Sequence, residues 1–302
     1  MRVALITTDS DFLNGDDVET DMVREYLNAN SQHLHADALI WHTSPDLSAY
    51  DALIFRSPWD YPIRQAEFSR WLSSIPANLR IFNPIQLVNW SADKLYLKEL
   101  AAFGIRFSET SFCDTLEGCR RAFGCFAEPY VIIKPNISAG SRDTGLFRAN
   151  DPEALTLCEQ IIASSKTVLI QKPIDSVQDG AERGLIYLNG RFSHAISKGA
   201  ILRPGGGYVG GVYTENIQPA TATDNEIQLG DAVMRAVQQV AARNMWGADA
   251  EVPLYARIDV ATSRDGEALL LEAEFFEPQL FLRFVDQGFE RFMGAIEEKL
   301  VR

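Results

Sequence analysis

The sequence predicts an α/β fold that begins with a doubly wound parallel sheet and continues as an α+β arrangement with antiparallel strands. The strand-like runs "RVALITT", "ADALIWH" and "DALIFRS" alternate with a helix-like stretch, residues 16–28, in the first third of the chain. Strands separated by helical segments are typical of a parallel sheet. Further on, Asn189-Gly190 joins "GLIYL" to "FSHAISK". An Asn-Gly pair between two strand patterns is the strongest short signal for an antiparallel hairpin.

Length and charge limit the classes of function. A chain of 302 residues suits two or three packed units. Its net charge of -13 argues against nucleic acid or an anionic membrane as the main partner, because like charges repel. No run approaches the roughly 18 apolar residues of a membrane span, and no secretory signal pattern opens the sequence. The four cysteines lack CxxC spacing, so we expect reduced thiols in a cytoplasmic protein.

Helix signals follow in the middle of the chain. The stretch "SADKLYLKELAAFG" predicts a helix with Ser91 as N-cap, Lys94 near its start and Gly104 as its stop. The strands "PYVIIKP" and "TVLIQKPI" flank a helix that Asp151-Pro152 opens. Between the first of these strands and that helix lies a small, polar linker, "NISAGSRDTG". A long helix over residues 223–244 precedes the last strands.

Carboxylates interrupt the apolar run "LLLEAEFFEP", residues 269–278. A buried carboxylate costs several kcal/mol unless a cation or hydrogen-bond donors compensate it. If Asp265-Gly266 forms a two-residue hairpin turn, Arg264 faces Glu267. The same register places Asp259 opposite Glu272 and Arg257 opposite Glu274, on one face of the hairpin.

Three carboxylates in one place predict a divalent cation. Asp259, Glu272 and Glu274 would repel one another, and hard oxygen ligands select Mg²⁺ or Mn²⁺. The alternative is a solvated strand face on which Arg257 pairs with Glu274. The neighbouring leucines and phenylalanines favour burial of at least one face, and therefore the metal site.

Two lysines extend this prediction to a nucleotide. Magnesium held by few carboxylates usually serves a phosphate-bearing substrate. Lys134 ends an apolar strand, and Lys94 lies where the helix dipole disfavours a cation unless an anion is bound. Together with the "NISAGS" loop, whose backbone amides could close over phosphates, they indicate a nucleoside triphosphate site. The sequence has no GxxxxGK[ST] motif, which excludes a P-loop.

The order of these elements resembles the ATP-grasp superfamily over nearly the whole chain. The resemblance rests on "NWSADKLYL", "YVIIKPNISAGS", "LIQKPI", "YARIDV" and "LEAEFFEP". Finer features, among them "RSPWDY", "FSHAISK" and the "E-x-E-x-x-E-P-x-L-F" tail, look like the D-cycloserine ligase group and its glutathione-synthetase-like relatives. This resemblance implies an N-terminal subdomain at 1–88, a central lid subdomain at 89–172 and a C-terminal subdomain at 173–302 with the metal and substrate site.

The resemblance also implies roles for individual residues. Those near ATP would be Lys94 and Lys134 on the phosphates, Ser138, Ala139 and Gly140 in the covering loop, Gln171, Lys172 and Ile174 around adenine, and Glu182 near the ribose. Asp259, Glu272 and Glu274 would hold the metal, and Arg257 would face the transferred phosphate. Lys198 and Arg203 would reach the acyl phosphate or the second substrate. Relatives often carry an aromatic-Arg-Val-Gln run after this lysine, whereas this chain has "ILRPGGGYVGG".

The implied reaction is ATP-dependent activation of a small carboxylate, an amino acid or a derivative, as an acyl phosphate that a nitrogen attacks. The product would be an amide or a ring, with release of ADP, and a homodimer is one assembly to expect. Phosphoryl transfer requires charge neutralisation more than a protein nucleophile. Two alternatives stay open, a small-molecule kinase of the same fold and a non-catalytic ATP-binding protein. The sequence names neither the acid nor the amine.

The segment "RSPWDY" predicts part of the substrate pocket, because it follows a strand whose end opens at the carboxyl edge of the first sheet. Arg56 offers a planar fork for a substrate carboxylate, and Asp60 could hold an amine, with Tyr61 beside them. The alternative is that Trp59 and Tyr61 pack a subdomain interface while Arg56 pairs with Asp60.

Overall fold

The computed structural model describes residues 1–13, 15, 17–126, 129–149, 151–174, 182–207 and 216–301. Its strands form three sheets, which span residues 2–82, 110–171 and 182–274. The predicted fold class is confirmed. The subdomain limits at 88/89 and 172/173 stay predictions. No helix in the described ranges is both long and apolar enough to cross a membrane.

The first sheet is parallel and has the strand order β2-β1-β3-β4. Its strands are β1 (Arg2–Thr7), β2 (His35–Ile40), β3 (Ala52–Ser57) and β4 (Arg80–Phe82). The helices of this part are α1 (Ser10–Leu13), α2 (Glu19–Asn30) and α3 (Gln65–Ser74), with 3-10 turns at Trp41–Thr43 and Tyr61–Ile63. Helix α2 begins at Glu19 because the Asp17 carboxylate accepts bonds from the backbone N–H groups of Glu19 and Thr20, at 3.0 and 3.1 Å.

The predicted helix with Ser91 as N-cap is wrong in its start. Helix α4 (Ile85–Ser91) ends at Ser91, and a separate helix α5 (Tyr96–Ala101) follows. The Ser91 hydroxyl donates back to the Val88 carbonyl at 3.4 Å. Lys94 lies in the link between the two helices, where its backbone N–H donates to the Asn136 carbonyl at 2.9 Å. Gly104, with φ +78°, does end the second helix as predicted.

The second sheet is antiparallel, in the order β5-β8-β6-β7, and we call it the lid sheet. Its strands are β5 (Thr110–Cys113), β6 (Tyr130–Pro135), β7 (Gly145–Arg148) and β8 (Val168–Gln171), and helices α6 (Leu116–Phe123) and α7 (Pro152–Ala163) pack against it. Asp151 caps α7 as predicted, since its carboxylate accepts from the Glu153 N–H at 3.0 Å.

The third sheet is also antiparallel, in the order β11-β10-β9-β12-β13. Its strands are β9 (Glu182–Leu188), β10 (Arg191–Lys198), β11 (Ile217–Ala220), β12 (Tyr255–Thr262) and β13 (Ala268–Glu274). The helices are α8 (Asp224–Arg243), α9 (Ala248–Glu251) and α10 (Gly288–Val301), with a 3-10 turn at Leu282–Phe284. The predicted hairpin at Asn189-Gly190 is confirmed, and both residues have positive φ.

The hairpin β12–β13 confirms the predicted pairs but not the predicted turn. Ser263, not Arg264, lies opposite Glu267: the Ser263 N–H donates to the Glu267 carbonyl at 2.8 Å. Three residues therefore connect the strands, and Gly266 takes the left-handed conformation at φ +82°. A bulge at Leu271 then shifts the register by one residue, so that Asp259 faces Glu272 and Arg257 faces Glu274. The two departures from the predicted hairpin cancel.

Asn83 joins the first sheet to the third. Its side-chain amide donates to the carbonyls of Tyr255, at 2.7 Å, and Phe275, and its oxygen accepts from the Leu254 N–H at 2.7 Å. Asn83 therefore fixes the chain beside β13.

Candidate active site

The acidic hairpin face is partly buried, and its charges are paired. Asp259 is only 2% exposed, and Arg257 donates to it through Nε at 2.9 Å. Arg257 also bonds Glu274 on the opposite strand and the Gln279 carbonyl at 3.3 Å. The pairing of Arg257 with Glu274 is thus present, while the side chains of Glu272 and Glu274 remain 30% and 19% exposed.

A second cation reaches Asp259 from the neighbouring strands. Lys198, at the end of β10, places Nζ 2.7 Å from Asp259 Oδ2 and 3.2 Å from Glu182 Oε1. Glu182, expected near the ribose, is therefore an ion-pair partner of Lys198.

Gly184 makes room for this arrangement, and the sequence reasoning missed it. It lies opposite Asp259 on β9. A Cβ there would come within 3.2 Å of Asp259 Oδ1, 3.3 Å of Arg257 Cδ and 2.9 Å of Ile196 Cδ1. A glycine inside a strand often marks such a close approach, so "RGLIYL" carried a usable signal.

Lys94 connects the acidic face to the loop after β6. Its Nζ lies 2.9 Å from Glu272 Oε1, and it donates to the Ser138 carbonyl at 3.1 Å and to the Ser138 hydroxyl at 3.3 Å. Asn136, which sequence reasoning did not assign, fixes this loop by donating to Asp93 at 2.9 Å while its carbonyl accepts from the Lys94 N–H. Lys94, Ser138 and Glu272 are therefore brought together.

Lys134 lies on the half-buried face of β6, together with Tyr130 and Ile132, while Val131 and Ile133 enter the core of the lid sheet. Burial lowers the pKa of Lys134 to about 8, although Glu272 opposes this shift. Ala139 packs toward the first sheet, and Gly140 has φ +60°. Because burial disfavours the charged form of Lys134, an anionic ligand beside it would stabilise that charge.

The carboxylates differ in charge. Burial opposes ionisation of Asp259 and Glu272, but Arg257 and Lys198 lower the pKa of Asp259, and Lys94 and Lys134 lower that of Glu272. Burial raises the pKa of Glu274 to about 7. The positive charge of Arg257 opposes this shift, and the negative charges of Asp259 and Glu272 add to it. In Glu277, burial and Glu274 together raise the pKa well above its ordinary value.

The carboxylates are adjacent without already surrounding a cation position. Within the described residues, no three acidic, histidine or cysteine side chains are grouped as a metal site. Three basic side chains, Lys94, Lys198 and Arg257, bond the carboxylates instead. The donor set itself, three carboxylates beside a lysine-bearing loop, fits Mg²⁺ bound together with phosphates.

The other residues expected near ATP lie at the end of the lid sheet. Gln171 ends β8 and donates to the Thr110 hydroxyl at 2.8 Å. The Lys172 N–H donates to the Glu109 carbonyl at 2.9 Å, and Ile174 is buried. Arg203 is exposed and donates to Gly206 in its own loop at 3.2 Å, with no contact to the acidic face among the described residues.

The side chains of "RSPWDY" make contacts within the protein. Arg56 is 2% exposed and donates through Nη2 to Glu19 at 2.7 Å, so Glu19 and not Asp60 is its ion-pair partner. Among the described residues, Arg56 Nε and Nη1 have no hydrogen-bond partner, and its role toward a substrate stays a prediction. Glu19 in turn accepts from the N–H groups of Leu280 and Leu282, both at 2.7 Å. The pair therefore joins α2 and β3 to the chain beyond β13.

Asp60 is equally occupied. Its carboxylate accepts from Trp41 Nε1 at 2.6 Å and from Arg64 at 3.2 Å. Tyr61 packs against Phe276 with ring centroids 5.1 Å apart, and Trp59 Nε1 donates to the Glu277 carbonyl at 2.9 Å. Trp59 and Tyr61 thus pack between this segment and the chain after β13. Tyr61 also interacts with the carboxyl of Glu277.

This arrangement of sheets is that of the ATP-grasp ligases. D-alanyl-alanine synthetase A of Vibrio cholerae shares the fold with a TM-score of 0.66 at 13% identity, over 100% of this chain and 99% of that chain. The crystal structure of D-cycloserine synthetase DcsG is much more similar, with a TM-score of 0.87 and 28% identity over 99% of this chain and 100% of the other.

The sequence comparisons identify the family. The cycloserine biosynthesis protein DcsG of Streptomyces lavendulae is 31% identical over 263 residues, which cover 84% of this chain and 85% of the relative. The family model for the N-terminal domain of D-cycloserine synthetase DcsG matches residues 3–83. The chain belongs to the DcsG family. It is therefore an ATP-dependent ligase that forms carbon–nitrogen bonds.

Proposed function

We propose that the protein activates a small carboxylate as an acyl phosphate and that a nitrogen then attacks the acyl carbon to form an amide. The relatives are D-cycloserine synthetases, so we propose first that the acid and the nitrogen belong to one amino-acid derivative and that the product is a ring. One observation carries the proposal: Lys94 lies within hydrogen-bond distance of both Glu272 and Ser138. It therefore links the three carboxylates of Asp259, Glu272 and Glu274, which we call the acidic set, to the loop after β6 that would cover the phosphates.

In the first half-reaction, the carboxylate oxygen attacks the γ-phosphorus of ATP and ADP leaves. Mg²⁺, held by Asp259, Glu272 and Glu274, would neutralise phosphate charge. Lys94 would move from Glu272 to a phosphate oxygen, and Lys134 would bind a second one. The amides of the loop that contains Ser138, Ala139 and Gly140 would close over the phosphates, and Gln171, Lys172 and Ile174 would contact adenine.

In the second half-reaction, the nitrogen forms its bond to the acyl carbon, phosphate leaves and the nitrogen loses a proton. Arg257, with Lys198 beside it, would stabilise the charge of the phosphate in both steps. We propose the same role for Arg203 only after its loop closes. Glu182 would then be free to approach the ribose.

Water must be excluded, because an acyl phosphate hydrolyses easily. Two loops are candidate lids, residues 136–145 and 204–211. The N–H groups of Gly205 and Gly206 donate to the Leu146 carbonyl, at 3.0 and 3.1 Å, so the second loop contacts the strand that follows the first. The part of the second loop at 208–211 lies outside the described residues.

Product analysis tests this function. The protein is incubated with ATP, Mg²⁺ and a panel of D- and L-amino acids and their derivatives, and ADP and product masses are measured. Loss of one water from a substrate indicates a ring, and loss of one water from the sum of two indicates a linear amide. A stable phosphate ester would support the kinase alternative. A non-catalytic binding protein would be supported if no member of the panel led to ADP release and if no ATP formed in the reverse reaction from D-cycloserine, ADP and phosphate.

Four finer points stay predictions. They are the identity of the acid and amine, the use of Mn²⁺ in place of Mg²⁺, a homodimeric assembly and a cytoplasmic location.

A further inference from the structure

Glu277 is a buried carboxyl group that the reaction described above does not use. It is 8% exposed, and its buried Oε2 atom has no hydrogen-bond partner among the residues that the structure describes. An unsatisfied buried polar atom costs about 1–3 kcal/mol, and native structures contain few of them. This atom is therefore available to a further hydrogen-bond donor.

The backbone around Glu277 is anchored on three consecutive residues. Asn83 donates to the Phe275 carbonyl, the Tyr255 hydroxyl donates to the Phe276 carbonyl at 2.9 Å, and Trp59 donates to the Glu277 carbonyl at 2.9 Å. These donors come from three separate parts of the chain. These bonds fix the backbone of the segment, and with it the point from which the Glu277 side chain extends.

The surroundings of the carboxyl hold acceptors in excess of donors. The Tyr61 hydroxyl donates one hydrogen bond to the Glu277 carboxyl, and Lys94, Glu272 and Glu274 act on it through their charges. Lys94 has three N–H donors, and its contacts are the Glu272 carboxylate, the Ser138 carbonyl and the Ser138 hydroxyl. None of its donors remains for Glu277. A ligand that fits must therefore bring donors of its own.

We infer that Glu277 binds the amino group of the small-molecule substrate. An ammonium group carries three N–H donors and one positive charge, which suits the Glu277 carboxyl, the neighbouring Tyr61 hydroxyl oxygen and the adjacent acids. Glu277 interacts with Glu272 and Glu274 on one side and with Tyr61 on the other, so an amino group bound there would lie next to the proposed metal ligands. This inference rests on the proposed function and narrows its substrate to one that carries an amino group.

Magnesium is the competing occupant, and the chemistry of the place favours the amine. Asp259, Glu272 and Glu274 already supply three carboxylates, and Mg²⁺ in such sites takes its remaining ligands from phosphates and water. A neutral phenol such as Tyr61 is not among the ligands that Mg²⁺ prefers, whereas it readily accepts an N–H donor.

The test measures ligand binding by calorimetry in the full chain saturated with Mg²⁺ and the non-hydrolysable analogue AMPPNP. Each ligand is paired with its counterpart that lacks the amino group: D- or L-alanine with propionate, D- or L-serine with 3-hydroxypropionate, and so on through the panel, with D-cycloserine added. The variants are Glu277→Gln and Tyr61→Phe. The control is Glu267→Gln, an exposed glutamate of the same hairpin.

We expect the wild type to bind at least one amine-bearing ligand more tightly than its counterpart. Glu277→Gln should lower the affinity for that ligand at least tenfold and change the affinities for the counterpart and for AMPPNP by no more than about twofold. Its melting temperature should lie within a few degrees of that of the control. Tyr61→Phe should show a smaller loss of the same kind. The inference is overturned if no ligand pair is distinguished by the wild type, if Glu277→Gln weakens both members equally, or if it raises the Mg²⁺ requirement instead. Normal binding of AMPPNP in those cases would leave the proposed ATP site intact.

Discussion

Lys134 gives the sharpest test of the nucleotide site, because its protonation should control ATP affinity. In the ligand-free protein, burial holds its pKa near 8. A bound phosphate would return the pKa toward the usual value for lysine, about 10.4. At any pH above 8, binding must therefore take up a proton, and affinity is lost as the pH rises.

The expected loss follows from the fraction of Lys134 that is protonated before binding. This fraction falls from one half at pH 8 to about one thirtieth at pH 9.5, so the Kd for Mg²⁺-AMPPNP should rise about fifteenfold, or about 1.6 kcal/mol. The range starts at pH 8 because Glu274, with a pKa of about 7, changes its own charge below that.

Lys134→Arg is the matched variant, since guanidinium stays charged throughout this range. Its Kd, measured by calorimetry at the same pH values, should stay nearly constant, and Lys134→Met should bind weakly at every pH. If the wild type and the arginine variant lose affinity in parallel, another group titrates and Lys134 does not contact phosphate. A constant Kd in the wild type would refute the reasoning equally.

Three further predictions concern single contacts. Glu272→Gln should lower kcat at least about a hundredfold with an unchanged circular dichroism spectrum, and a near-native rate would remove it from the metal set. Lys94→Met should lower the affinity for ATP about thirtyfold, because one charge-assisted bond contributes about 2 kcal/mol, and should retain the affinity for adenosine. Equal losses of affinity for both ligands would indicate misfolding. Arg56→Ala should lower the free energy of unfolding by about 3–5 kcal/mol, because buried Glu19 loses its cation. If the free energy of unfolding measured in urea stayed unchanged and the KM for the acid substrate rose, Arg56 would instead be a substrate-binding residue.

Local patterns predicted most of the fold. The alternation of strands and helices, the Asn189-Gly190 turn, the helix start at Asp151 and the long helix over residues 223–244 depend on neighbours in sequence, and the structure confirms each of them. The pairs across the acidic hairpin were also predicted, although the turn is one residue longer and a bulge compensates for it. Sequence periodicity cannot reveal such a bulge, because it reports only which residues share a face.

Contacts between distant segments were beyond prediction. Arg56 and Glu19 are far apart in sequence, and both carry the polar character that a substrate site would also require. Only the burial of the pair distinguishes a structural bridge from a ligand contact. The split between α4 and α5 has the same origin, since the link turns where Lys94 meets Asn136, in the loop after β6.

The pairing of Lys94, Lys198 and Arg257 with the acidic set has a consequence for the order of ligand binding. Free ATP would draw Lys94 away from Glu272 and leave that carboxylate without a counter-charge, while Mg²⁺ alone would have to compete with three cations already in contact with its ligands. Each ligand by itself therefore meets an electrostatic penalty that the other removes. Nucleotide and metal should consequently show strong positive coupling, each raising the affinity of the protein for the other by the same factor. An enzyme built in this way responds to the concentration of the Mg²⁺-ATP complex and is nearly indifferent to either component alone.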